Sequence, residues 1–296
     1  MDTRSTTQPR LRSIASPTNA LLKVFRKALA EGSSHDGWVA IEGPRLVEEA
    51  IRCGGANEQS PTGHQCAVRS VLVSESAAQK FSTLLKRLPP EAEIAQIPNE
   101  LFGKISQMET TQGIAALVEL PTYNLDECLQ SEGSVVLAAC GIQDPGNLGT
   151  ILRTSDALGA TAVVTAKGTV SLFNPKVVRA SGGALFRLPV FAAVDFAKLM
   201  GELREAGVRT IAADSAAGIP IAQVDLRGRI ALFVGGEAAG VHPEIAKQAS
   251  ARVRIPMKPG VDSVNAAVAA SIFLYETQRQ RDFRFDEPAA GAPTVL

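Results

Sequence analysis

The stretch that decides the fold is Ile255–Glu276, IPMKPGVDSVNAAVAASIFLYE. It opens as the end of a strand, RVRIPM. Pro259-Gly260 mark a turn, because proline presets φ and glycine accepts the positive φ that can follow. Beyond the turn, Val264, Ala267, Val268, Ser271, Ile272 and Tyr275 recur at helical spacing. Ser263 is the expected N-cap, which leaves Asn265 in the first turn, facing the loop. A strand–loop–helix unit of this type exposes backbone amides and carbonyls at the rim of a parallel sheet, where open α/β proteins bind ligands.

A chain of 296 residues has room for two domains with a core in each. Its 45% hydrophobic and 20% charged content is ordinary globular composition. The formal net charge is zero, so no global field advertises a polyanionic partner. Charge is uneven, however: residues 1–30 hold six basic side chains, Arg4, Arg10, Arg12, Lys23, Arg26 and Lys27, against Asp2. Such a segment suits phosphate contacts or a solvated helix face. Cys53, Cys66, Cys128 and Cys140 form no CxxC pair and have no histidine at ligand spacing, which argues against structural zinc and fits reduced cytosolic thiols. MDTRSTTQPR lacks the apolar core of a signal peptide, and AAVAASIFLY is too short to span a bilayer. The expectation is a soluble cytoplasmic protein.

Element patterning predicts two α/β modules. Residues 1–12 read as a disordered leader. Residues 13–121 follow as the first module. Its opening helix, SPTNALLKVFRKALAEG, is expected to be capped by Ser16, with Pro17 at its first position and Gly32 closing it. The strand WVAIEG, the helix PRLVEEAIRCGG, a loop at 57–65, the strand VRSVLVS and the helix ESAAQKFSTLLKRL come next. EIAQIP, NELFGKIS and GIAALVEL add strand, helix and strand. Residues 122–133 read as a linker, 134–285 as the second module, and 286–296 as a disordered tail. SVVLAACG and TAVVTA are uninterrupted apolar runs, as in strands covered on both faces. Strand–helix alternation implies a mostly parallel sheet.

Two further stretches could carry chemistry. In DPGNLGTILRTSDALGA (144–160), Asp144-Pro145-Gly146 make a tight turn and Asn147 sits where a helix cap belongs. Arg153, in the second turn with Gly149 one turn before it, leans back toward the amide end. There it could meet a phosphate or a developing oxyanion; a plain surface arginine is an equal reading. In LFVGGEAAGVHPE (232–244), Gly235 and Gly236 let backbone approach a ligand closely. Glu237 could bind a ligand hydroxyl or amine, or simply favour a helix start. GGEAAG is not GxGxxG, so a dinucleotide fold has weak support. His35, His64 and His242 have no evident catalytic partner, and Asp156, Asp214 and Asp262 show no metal spacing.

Together the three stretches resemble the signature motifs of the SpoU (TrmH-type) family of RNA ribose 2′-O-methyltransferases, SPOUT class. The pattern is N-x-G-x-x-x-R, then G-x-E-x-x-G, then I-P-M with S-x-N. It is carried by Asn147, Gly149 and Arg153, then Gly235, Glu237 and Gly240, then Ile255-Pro256-Met257 with Ser263 and Asn265. The resemblance covers about residues 135–281. The first module, through IEGPRLVEEAIRCG and ETTQGIAALVELP, is similar to that family's RNA-binding domain. The resemblance implies a C-terminal parallel-sheet domain with a deep trefoil knot, S-adenosylmethionine as cofactor, a homodimer and no metal. It implies cofactor contacts at Gly235, Gly236, Ile255, Met257, Ser263, Val264 and Asn265. It assigns polar catalytic roles to Asn147, Arg153, Glu237 and Asn265, and RNA contacts to Arg45 and Arg153. The chain departs from the pattern at Ala238, where glycine is usual, at Gly236, often Asn or Ser, and at Val264, more often Leu.

The implied activity is methylation of a ribose in structured RNA, ribosomal RNA before transfer RNA. A non-catalytic RNA-binding protein is a second reading, and a nucleotide-dependent oxidoreductase a third. The missing GxGxxG weighs against the third.

Overall fold

The computed structural model describes residues 11–54, 65–236 and 240–285. The chain divides into two compact units: residues up to Pro121 together with Phe173–Arg187, and Thr122–Leu172 together with Leu188 onward. The segment Phe173–Arg187, expected inside the second module, therefore folds with the first. The expected linker holds a helix, α6 (Leu125–Gln130), which Asn124 caps by accepting from the Asp126 amide. Leu11 and Arg12, expected in a disordered leader, begin strand β1 (Leu11–Ser13), because their backbone pairs with Ile94 and Ala95. The rest of the expected leader, all but Gln65 of the loop expected at 57–65, and the expected tail lie outside the described residues.

The first unit is a five-stranded mixed sheet in the order β1-β4-β3-β5-β2. Its other strands are β2 (Val39–Glu42), β3 (Ala67–Ser74), β4 (Glu93–Ile97) and β5 (Ile114–Glu119). Strand β5 runs antiparallel to both β2 and β3, so this sheet is not the mostly parallel one that alternation suggests. Helix α1 (Ala20–Glu31) starts later than expected: Asn19, not Ser16, accepts from the Leu21 amide, and Pro17 lies in the preceding turn. Gly32 closes it in the left-handed conformation, as expected. Leu22, Phe25 and Leu29 of α1 join Leu101, Phe102 and Ile105 of α5 (Asn99–Ile105) over Leu72, Ala95 and Leu117. Phe81 interrupts the helix expected from Glu75 to Leu88, leaving α3 (Glu75–Lys80) and α4 (Ser82–Leu85). Helix α2 (Pro44–Gly54) and α8 (Pro175–Ser181) complete the unit, and Arg187 reaches Glu49 of α2 at 2.8 Å. Glu42 is buried, and its carboxylate accepts from the Ser106 and Thr111 hydroxyls at 2.5 and 2.7 Å.

The second unit is a seven-stranded, wholly parallel sheet ordered β10-β12-β9-β11-β6-β7-β8. Its strands are β6 (Val135–Cys140), β7 (Ala162–Ala166), β8 (Val190–Val194), β9 (Arg209–Ala213), β10 (Ile219–Pro220), β11 (Ile230–Gly235) and β12 (Ala251–Arg254). Every residue of β6 is buried, which explains its unbroken apolar run. Val136, Ala138 and Cys140 pack with Leu199, Met200 and Leu203 of α9 (Phe196–Glu205) and Ile245 of α10 (Pro243–Gln248). Successive side chains alternate between faces, and α7 (Pro145–Ala157) and α11 (Ala266–Gln280) pack together on the other side of the sheet. The end of α11 is tied down by Arg281, whose guanidinium donates to the carbonyls of Gly133, Leu226 and Gly228. Gln280 adds a pair with the Leu226 amide at 2.8 Å and the Val224 carbonyl at 3.0 Å. No helix among the described residues is long and apolar enough to cross a membrane.

All four cysteines are free and buried. Burial pushes the thiols of Cys66 and Cys140 up to about 12 and that of Cys128 to about 11. In the unfolded chain a thiol ionises near 8.5. Between that value and the folded ones the unfolded state has released protons that the folded state retains. Stability is therefore intact below pH ~8.5 and falls as pH rises above it. Denaturant melts from pH 7 to 10 are expected to show this decline, and a Cys66→Ala/Cys140→Ala variant should show a shallower one.

Candidate active site

The second half of the sheet builds a cavity of about 540 Å³ at its carboxyl end. Strand β11 ends in Gly235, and Gly236 follows. Beyond β12 the chain leaves the sheet through Ile255 and Met257, turns at Pro259-Gly260, and returns through Ser263 and Val264 to α11. Gly260 takes φ +86°, as the expected turn requires, and the Val261 amide closes on the Lys258 carbonyl. All six flanking positions, Gly235, Gly236, Ile255, Met257, Ser263 and Val264, line this one cavity. Ala213, Val234 and Phe273 supply further apolar wall, and Asp214 and Arg252 form an ion pair at its edge.

The two glycines are steric necessities. A Cβ on Gly235 would stand 1.8 Å from the Gly240 carbonyl carbon, and one on Gly236 would stand 2.5 Å from the Gly141 carbonyl oxygen. Both neighbours are backbone. Gly236 donates to the Cys140 carbonyl, and Gly240 donates back to Gly236, each at 2.9 Å.

Two caps differ from expectation. Asn265, not Ser263, caps α11: its Oδ1 accepts from the amides of Ala267 and Val268 at 2.9 and 3.3 Å. Residues 261–265 stay irregular, so the helix begins two residues later and Ser263 stays exposed on the cavity wall. Likewise Asp144, not Asn147, caps α7, accepting from the Asn147 amide at 2.8 Å. With Pro145 at the first helical position, Asn147 lies within the first turn and Arg153 sits nearly a turn further along than the spacing suggested. The displaced Asn147 side chain accepts a hydrogen bond from Asn265 Nδ2 at 2.9 Å. This bond joins the first motif to the third across 118 residues of sequence. Nearly two turns later the Ser271 and Thr154 hydroxyls meet at 3.4 Å and repeat the link.

Asn265 thus has two separable jobs. Asn265→Ala should cost about 1 kcal/mol through the lost cap. Asn265→Asp keeps the cap oxygen, adds favourable charge at the helix start and replaces the donor to Asn147 by an acceptor, which Asn147 can meet by turning its amide. Thermal melts should rank Asn265→Asp close to the parent and Asn265→Ala below both; equal melts for all three would sink the cap assignment.

The remaining candidates are placed as follows. Arg153 is exposed on α7 and pairs with none of the described residues; it does not line the cavity. Arg45 is exposed in the first turn of α2, in the first unit. Glu237 lies outside the described residues. The Asp214–Arg252 pair is invisible to sequence reasoning, which weighs Asp214 only for metal spacing, since nothing in the spacing of a β9 end and a β12 residue pairs them. Among the described residues no group of three His, Cys, Asp or Glu side chains is placed to hold a metal ion.

Comparison with known proteins bears on this geometry. The SpoU rRNA Methylase family matches residues 134–275. The chain is 31% identical over 239 residues to the Bacillus subtilis 23S rRNA (guanosine(2553)-2′-O)-methyltransferase RlmP, covering 79% of this chain and 86% of the relative. This chain belongs to the SpoU family. Among solved structures, the AdoMet-bound rRNA methyltransferase from Sinorhizobium meliloti superposes with a TM-score of 0.75 at 27% identity, covering 91% of this chain and 98% of that one. The SpoU methyltransferase AviRb from Streptomyces viridochromogenes, in complex with AdoMet, gives 0.74 at 27% identity, covering 90% and 100%. Likeness to these two solved structures covers 90% or more of the chain, whereas the family match begins at Ser134, just before β6.

Proposed function

We propose that this chain transfers the methyl group of S-adenosylmethionine to a ribose 2′-hydroxyl of RNA, with ribosomal RNA as the substrate class. The observation that carries this reading is the Asn265–Asn147 bond, which gathers the SpoU motifs at one rim beside a cavity walled by glycine backbone.

The cavity fits the cofactor on its own chemistry. At about 540 Å³ it lies within the range of small-molecule sites. Val234, Ile255, Val264 and Phe273 offer apolar surface for a flat base, and exposed backbone at Gly235 and Gly236 offers polar contacts where side chains are sterically excluded. Ile255, Met257, Ser263 and Val264 would hold the cofactor with these glycines. When bound, S-adenosylmethionine supplies an electrophilic methyl group.

The chain's own residues have to hold the ribose and ease loss of its hydroxyl proton. An arginine guanidinium is permanently protonated in proteins, so Arg153 is a poor base. It serves instead as an anchor for the substrate phosphate and a stabiliser of charge developing on the 2′-oxygen. Asn147 and Asn265, locked to each other, orient the ribose, and Glu237 completes the polar set. Positioning of this kind can supply several kcal/mol of barrier lowering. Arg45, exposed on the first unit, contributes a phosphate contact.

A homodimer is supported by α11, where Val268 is 47% and Tyr275 53% exposed. An exposed apolar strip of this kind suits an interface. The trefoil knot that the family resemblance implies belongs to the same proposal. Four free thiols support a reducing cytoplasm. Mapping 2′-O-methyl sites in total RNA from cells with and without the gene tests the reading. A site lost from ribosomal RNA is expected; an unchanged map rejects it.

A further inference from the structure

A second cavity, of about 550 Å³, opens on the other side of the Gly236 backbone. It lies at the carboxyl ends of β6, β7 and β8, under the start of α9 and beside α10. None of the SpoU motif side chains lines it. Gly236, Gly240 and Pro243 line both cavities, so backbone at these positions separates them.

The lining has two characters. Val194, Phe196, Met200 and Ile245 form an apolar wall. The Phe196 ring is held edge-on to Phe233 with centroids 5.8 Å apart, which fixes its plane, and it remains partly exposed toward solvent. The lining also holds polar groups able to read hydrogen-bonding edges, the amides of Gln143 and Gln248, and the exposed Lys167. Two carboxylates also line it: Asp195, near Lys167, accepts from the Ala197 and Lys198 amides of α9, and Glu244 pairs with Lys247 at 2.8 Å. With both engaged, the apolar slot and its amide side chains suit an unstacked base, and Lys167 at the rim suits its phosphate.

The position along the chain adds a reason. Gln143 opens the Gln143–Asn147 segment, Asn147 bonds Asn265 at 2.9 Å, and Asn265 follows Val264 of the first cavity. One continuous edge therefore runs from the second cavity, past the asparagine pair, to the first. The sheet order places this edge between β6 and β11, where connections diverge to opposite sides and open parallel sheets take their ligands.

We propose that this second cavity receives an unstacked nucleobase of the substrate RNA, with Lys167 on the adjoining phosphate. The inference rests on the RNA methyltransferase reading. It assigns substrate recognition to Phe196, Gln143, Gln248 and Lys167, in addition to the motif residues.

The test uses the full chain, an unmodified transcript of bacterial 23S RNA and labelled S-adenosylmethionine. Ala197→Trp, exposed in the first turn of α9, narrows the cavity; Lys167→Glu reverses the rim charge. Both variants should bind S-adenosylmethionine with the parent's affinity by calorimetry and melt with the parent. Both should raise the KM for RNA roughly tenfold, the size expected for losing one stacked base or phosphate contact. Parental RNA kinetics in either variant overturns the assignment. Should Ala197→Trp melt early, Lys167→Glu decides alone, because its side chain is solvent-exposed. A parent chain that binds S-adenosylmethionine yet neither binds nor methylates the transcript rejects both this inference and the substrate reading. A parent chain that methylates while both variants match it rejects this inference only.

Discussion

Gly235→Ala is expected to abolish binding of S-adenosylmethionine and to destabilise the second unit. The added methyl would sit 1.8 Å from the Gly240 carbonyl carbon and 2.3 Å from the Val241 nitrogen. Those atoms belong to the main chain, so no rotamer change relieves the overlap. Forcing them apart should cost about 3 kcal/mol or more, the upper end of overpacking effects, and should shift Ile255 and Met257 across the cavity. The contrast is Gly201→Ala, in α9, where an added Cβ meets nothing within 4 Å. There the substitution should stabilise by about 0.5–1 kcal/mol, as for a glycine removed from a helix interior. Calorimetric titration with the cofactor and thermal melts of the two variants check both halves. Parental cofactor affinity in Gly235→Ala would show that the cavity is not where the methyl donor binds.

Arg153→Ala should lower the turnover number by about 10²–10³, the effect of removing one group that stabilises transition-state charge. Its affinity for S-adenosylmethionine should be untouched, because Arg153 does not line the cavity. Stability should also hold, since the side chain is exposed and pairs with none of the described residues. Arg153→Lys should recover only part of the loss, since an ammonium cannot reproduce the planar fork that grips a phosphate. Single-turnover methylation beside calorimetry separates the two quantities. A variant that loses cofactor binding and turnover together would move Arg153 from substrate chemistry to the cofactor site.

Much of the second unit was legible because its strands are buried on both faces. SVVLAACG and TAVVTA could be little else than inner strands of a parallel sheet, and they are β6 and β7. The first unit was less legible. Its alternation of strands and helices is equally compatible with antiparallel pairing of β5, which is decided by partners far along the chain. Caps differ for a local reason: Ser16, Ser263 and Asn147 are all good cap residues, but a second good cap stands two or three residues away in each case, and Asn19, Asn265 and Asp144 take the amides at which the helices actually start. At the site, the glycines and the IPM turn were visible as backbone requirements. The Asn265–Asn147 bond was not, because it depends on where two helices start and on how they pack. The second cavity left no motif, since its walls come from four strand ends and two helices that share no sequence pattern.

The assignment of Phe173–Arg187 to the first unit has a consequence for synthesis. Val177, Val178, Leu185 and Phe186 are buried there, on a segment that emerges from the ribosome only after β6, α7 and β7. The N-terminal unit therefore cannot finish packing while it is the only part translated. A fragment cut at Pro121 would leave apolar surface bare, and one beginning at Thr122 would carry the missing piece unmatched. The two units are bound to mature as one cohort during translation, and gene fusions that exchange the leading unit alone should express poorly unless they carry this segment with it.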